Sequence, residues 1–234
     1  MRAIFGNYFA FLLLASCSAE SPSPAPTPAP APQAAAPATA SPVVTESERY
    51  LLAVGANGFR AEMGLAGLRQ RFGDTAVVES QVVLGEGQTE AGAMIHPMDP
   101  AHRAHVYFID GDTRKPISAI YVRDPASAWS GPFGIRIGMP STELERINGQ
   151  PFRFLGFDWD YGGYVSHWTE GALAKAFLPP GQLSVRMEPP AMPEGSNLPD
   201  GYPAGDGEFA SDLAAVREKP PVVAEFGLSF VPPG

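Results

Sequence analysis

Gly134-Ile135-Arg136-Ile137-Gly138-Met139-Pro140-Ser141-Thr142-Glu143-Leu144-Glu145-Arg146-Ile147-Asn148-Gly149 is the stretch from which the fold is read. A quieter copy, Gly58–Gly73, stands 76 residues earlier. Laid together without a gap, Gly58/Gly134, Arg60/Arg136, Met63/Met139, Leu68/Leu144 and Gly73/Gly149 coincide. Phe59/Ile135 and Ala61/Ile137 match as apolar pairs. Identities confined to glycines and motif positions mark a duplicated unit. In the later copy Ile135 and Ile137 alternate as a short strand, and Leu144 and Ile147 form the apolar stripe of a helix. Pro140 suits the first helical turn, where its missing N–H costs nothing. Glu143 and Glu145 sit where the helix dipole favours acids, and Asn148-Gly149 is a stop. Thr142 with Glu145 is expected to supply the N-terminal cap. In the earlier copy, 65–72 reads as a helix with Leu65, Leu68 and Phe72 on one face and Gly73 as its cap.

Outward from the first copy the apolar period changes to two. Residues 77–84, 91–96, 102–109 and 117–123 read as strands, with turns between them and a short helix opening at the Thr45/Glu48 capping box. Asp110-Gly111-Asp112 is a turn; it lacks the later ligands of a calcium loop. After the second copy come an aromatic hairpin at 152–168 and a strand at 182–188. An irregular insertion at 189–222 comes next, with a short helix near 209–217, and 224–231 is the last strand. The expected fold class is α+β: a tandem repeat of a short helix packed on a mostly antiparallel four-stranded sheet, with units at 45–128 and 129–234.

Gly138-Met139, a helix centred on Leu144, then Gly149 and Pro151 before a strand resemble the repeats of the β-lactamase inhibitory protein superfamily. They are also similar to the single repeat of the small lipoprotein of the outer-membrane barrel-assembly machinery. The resemblance implies a tandem of helix-plus-four-strand units. The chain departs from it at Pro140 and Gly64, where those families place Ser or Thr, and it lacks the inhibitor's paired cysteines.

Residues 1–16 carry one positive charge, Arg2, and an apolar run at 8–15, the pattern of a secretory signal. Leu14-Ala15-Ser16-Cys17 resembles the bacterial lipobox. That resemblance implies cleavage before Cys17 and a diacylglyceryl group on its sulfur, hence a membrane partner through lipid. Ser18, where an Asp would mark the inner membrane, implies an outer-membrane location, with the folded part expected to face the periplasm. Residues 17–44 form a Pro/Ala-rich tether: the span 21–42 holds eight prolines, eight alanines and no charge or aromatic ring, so it cannot build a core.

A net charge of −9 argues against a nucleic-acid partner. Cys17 is the sole cysteine, so neither a disulfide framework nor a cysteine zinc site is expected. No nucleophile elbow, zinc-protease motif or phosphate loop is present, and the four histidines are scattered. The expectation is a non-catalytic protein with no cofactor and no metal, which binds another envelope protein. Whether it takes a small molecule is open. An inhibitor of a periplasmic or secreted hydrolase and a carbohydrate or cell-wall binder are the alternatives.

The candidate binding patch lies in the aromatic hairpin. A two-residue turn at Gly162-Gly163 would set Phe157 opposite Trp168 and put Phe157, Trp159, Tyr161, Tyr164 and Trp168 on one face. That face is either core or a surface for a protein or a sugar ring. Asp158 and His167 would face each other as a candidate ion pair.

Overall fold

A computed structural model describes residues 46–55, 58–85, 87–176 and 181–230. The signal segment, Cys17, the tether and Thr45 lie outside the described residues. The elements run α1 (Glu46–Arg49), α2 (Gly64–Phe72), β1 (Val77–Gly85), β2 (Gln88–Ile95), β3 (Ala104–Phe108) and β4 (Ile117–Val122). Then come α3 (Ser141–Asn148), β5 (Arg153–Leu155), β6 (Val165–His167), β7 (Gln182–Glu188), β8 (Glu208–Ala210), α4 (Ala214–Glu218) and β9 (Val222–Ser229).

The strands form two antiparallel sheets, not one per repeat. The larger has six strands in the order β1-β2-β3-β4-β9-β7; the smaller has three, β6-β5-β8. The expected tandem of helix-on-four-strand units is therefore incorrect. Leu68 on α2 and Leu144 on α3 are both fully buried in one core, so the helical motif does recur. The strands after it do not. Four strands of one sheet come after α2, whereas two three-residue strands of a separate sheet come after α3. The last strand, β9, crosses back to pair with both β4 and β7 and lies inside the large sheet. The expected boundary near 128 thus falls between halves that share one sheet, and the described residues belong to one compact unit, Val43–Gly234.

The large sheet has two unlike faces because side chains alternate along each strand. One face sends Ile95, Val106, Ile120, Phe226, Leu228 and Met187 into the core against Leu68 and Phe72 of α2, Leu144 of α3 and Val216 of α4. Each fully buried leucine or phenylalanine contributes roughly 1.5–3 kcal/mol. The other face is polar and tyrosine-rich.

The start of α3 also differs from expectation. Pro140 is the N-cap residue and no side chain caps the helix. The Ser141 N–H instead donates to the Pro221 carbonyl at 2.8 Å, so neighbouring chain serves the first turn. Glu145 points elsewhere: it accepts from Ser211 Oγ at 2.7 Å and from Arg217 at 3.0 Å, tying α3 to the segment around α4. Gly149 ends the helix in the left-handed region, as its sequence predicts.

Candidate functional site

The polar face of the large sheet is built by register. Tyr121 on β4 lies opposite His105 on β3 and Gly227 on β9; Gly227 lies opposite Ser184 on β7. One row over, Ala119 stands opposite Tyr107 and Ser229. Arg186 pairs in register with Glu225. Two walls rise beside this floor. The first is the far half of the β1–β2 hairpin: β2 pairs with β3 only at Ala93, Met94 and Ile95, so 82–84 and 88–90 stand outside the β3 pairing. Tyr107 Oη donates to the Val83 carbonyl at 2.7 Å and fastens that wall. The second wall is the loop joining β5 to β6, which bridges to β7 through Tyr164 and Arg186. Between them lies a groove of about 440 Å³.

The polar groups of the floor are largely paired with one another. Glu225 is only 6% exposed. Its Oε1 accepts from Tyr164 Oη at 3.0 Å, and its Oε2 lies 3.0 Å from Arg123 Nε. The Nε–H is not aimed along that contact, so charge holds the pair more than a linear hydrogen bond does. Arg123 Nη2 donates to Tyr107 Oη at 3.1 Å. Arg186 donates to the Gly162 carbonyl at 3.1 Å and to Glu188 at 3.2 Å. Burial, then the Glu225 carboxylate, pushes the Tyr164 hydroxyl well above the usual phenol range. Burial raises Tyr107 and Tyr121 as well. Burial opposes the Arg123 charge, but Glu225 and Tyr107 outweigh it and keep the guanidinium protonated. Burial, followed by Arg123 and Arg103, lowers His105 to about 4.

In contrast with this internally paired floor, the hairpin wall is open and sets the apolar Leu84 beside the carboxylate of Glu90. Leu84 is 54% exposed. Val83 follows the buried Val82 that packs on Tyr107 and Ala119, so its side chain turns to the sheet's opposite face and only its carbonyl serves the groove. A larger hollow, about 800 Å³, lies between α2 and the 112–115 turn. It is an open surface whose Arg69 and Arg114 share the single Glu79 carboxylate, one on each oxygen.

The residues singled out by the sequence are not brought to one face. Phe157 is buried and stacks on Tyr202. Trp168 packs half-buried on Phe152, with ring centres 5.1 Å apart. Trp159 is half-buried; its Nε1 donates to the Gly156 carbonyl and its ring meets Tyr161 edge-on. Tyr161 is 59% exposed, and Tyr164 turns to Glu225. The hairpin register explains this. Arg153 pairs with His167 and Phe154 with Val165, so 156–163 is a long loop and not a pair of strands around a two-residue turn. Asp158 sits in that loop, whereas the His167 Nδ1 accepts from the Thr169 N–H. The two do not form an ion pair.

Asp110 does close a turn, its Oδ1 accepting from the N–H groups of Asp112 and Thr113. Sequence reasoning missed the groove floor, because its residues come from β3, β4, β7, β9 and a loop. It also missed a cluster in which Tyr50 stacks on His102 at 4.0 Å and its hydroxyl lies 3.2 Å from His96 Nε2. Asp99 holds His102 Nδ1 at 2.6 Å. The spacing of Asp99 and His102 was the available signal. Among the described residues no three His, Cys, Asp or Glu side chains converge as a metal site. No family model, no curated protein and no solved structure matches the chain.

Proposed function

We propose that this is a lipid-anchored, non-catalytic protein of the outer membrane, facing the periplasm, which binds another envelope protein in the groove on the polar face of its large sheet. The observation that carries the reading is the contrast within the groove. Leu84 on its hairpin wall stands more than half exposed over a floor whose buried carboxylate is already engaged. Covering such a wall gains about 25 cal/mol per Å² of apolar area, which favours a protein partner. A general base needs a lone pair facing its substrate. Both Glu225 oxygens are held by Tyr164 and Arg123, so the carboxylate is better suited to shaping the floor than to moving a proton. The lipobox-like Leu14-Ala15-Ser16-Cys17 supports the anchor. The inhibitor alternative leaned on a tandem fold that the chain does not adopt.

The test is a photo-reactive residue at Leu84 in the full chain, expressed in bacterial cells, with the same residue at Met98 as a control. Met98 is more exposed but lies outside the groove. A discrete protein adduct from Leu84 and none from Met98 is expected; equal behaviour at the two sites would overturn the reading. In the same cells Cys17→Ser should lose acyl labelling and leave the membrane fraction.

A further inference from the structure

We infer that the groove takes a basic segment of its partner: a lysine or arginine side chain seated by Glu90 and Asp160 above Tyr121, with an apolar neighbour covering Leu84. The inference rests on the reading of the groove as a protein-binding surface and names the chemistry of the occupant.

Charge decides the sign. Five charged groups line the groove: Glu90, Arg123, Asp160, Arg186 and Glu225. Both guanidinium groups are already neutralised from within, Arg123 by Glu225 and Arg186 by Glu188. Glu90 on the hairpin wall and Asp160 on the loop wall form no ion pair or hydrogen bond among the described residues. Two unneutralised carboxylates on one hollow attract a cation and repel an anion. An anionic segment would meet that repulsion and find each arginine already engaged.

The floor points the same way by a separate effect. Tyr107, 6% exposed, meets the half-buried Tyr121 edge to face, with ring centres 5.6 Å apart and planes at 81°, so Tyr121 is the ring left accessible in the floor. An aromatic face carries the negative part of the ring quadrupole and attracts a cation. The exposed Leu84 of the hairpin then suits an apolar residue beside that cation. Acidic walls, an aromatic floor and an apolar rim together describe a basic, partly apolar peptide.

The experiment is calorimetric titration of the full chain with an acetylated, amidated peptide of alternating lysine and leucine. The parallel probes are the glutamate–leucine counterpart and a linear oligomer of N-acetylglucosamine. The lysine peptide should bind at low salt and weaken on adding salt. The Glu90→Gln, Asp160→Asn double variant should bind it at least about tenfold more weakly, while Glu194→Gln, outside the groove, should bind as the unchanged chain does. The charge-reversed Glu90→Lys, Asp160→Lys variant should prefer the glutamate peptide. Equal binding of the two peptides would overturn the inference, as would an undiminished double variant, binding of the sugar oligomer alone, or no binding at all. The salt series on the unchanged chain remains decisive even if a variant fails to fold. If the lysine peptide fails while Leu84 still cross-links a protein, the basic occupant is wrong and the protein-binding groove stands. Loss of both results retires both.

Discussion

The side-chain amide of Asn148 sits at the end of α3, 2% exposed, and serves three backbone groups at once. Its Nδ2 donates to the carbonyls of Gln150 and Trp168, each at 3.0 Å, and its Oδ1 accepts from the Leu173 N–H at 3.0 Å. These contacts hold the segment after β6 against the helix. Removing the amide leaves the buried Leu173 N–H and the partly buried carbonyls of Gln150 and Trp168 without their partner, so Asn148→Ala should cost about 2–4 kcal/mol. A urea titration checks it: the midpoint should fall with the slope unchanged. Asn148→Asp should fall at least as far, because a carboxylate would turn an oxygen toward two carbonyls. Unchanged midpoints in both would show that the network contributes nothing to stability.

At the scale of elements, the β1–β2 hairpin forms one wall of the groove. Its near half is held by pairing to β3, and its far half hangs on few ties, of which Tyr107 Oη to the Val83 carbonyl is the most direct. Tyr107→Phe should remove about 0.5–1.5 kcal/mol of stabilisation from that half. Amide hydrogen exchange should accelerate at 82–85 and stay unchanged in β4 and β9; a uniform change across the sheet would contradict this. The same hairpin shows what was legible in the chain. The expected strands 77–84, 91–96, 102–109 and 117–123 match the observed β1 to β4 within a few residues, and 182–188 matches β7. Local periodicity and turns specify such elements. Partnership between distant strands cannot be deduced from period, so β9 between β4 and β7 could not be read. The aromatic hairpin failed for a different reason. Gly162-Gly163 looks like a two-residue turn, but Gly163 is required because a Cβ there would run into the Met187 carbonyl of β7. The glycine answers to a long-range approach, and only the folded chain reveals it. The candidate site was hidden likewise: Tyr164 was visible as one of a run of aromatics, while Glu225, its partner, is 61 residues away.

Across the whole molecule, two histidines disfavoured in their charged form by burial are expected to set the first loss of stability in acid. Burial, then Arg123 and Arg103, lowers His105 to about 4. His96 is lowered by burial, then by His102 and Arg49, against the opposing pull of Asp99; the Tyr50 hydroxyl also lies on its Nε2. In the unfolded chain a histidine titrates near about 6.5. As pH falls below that value the unfolded state binds protons that the native state refuses, so stability drops with falling pH. For His105 the drop runs from about 6.5 to about 4 and then ends, because the folded form titrates there too. Carboxylates act in a lower window. The carboxyl of Asp99 is held below its usual value chiefly by the hydrogen bond from His102, so its contribution is intact above about 3.9 and lost only beneath it. Thermal unfolding measured between pH 7 and pH 4.5 should therefore show a decline that begins above the carboxylate range. His105→Gln should make the decline shallower by at most one proton's worth of slope and leave stability near pH 7 little changed. If the decline instead begins only below about pH 4.5 and His105→Gln does not alter it, paired carboxylates and not buried histidines set the acid limit of the fold.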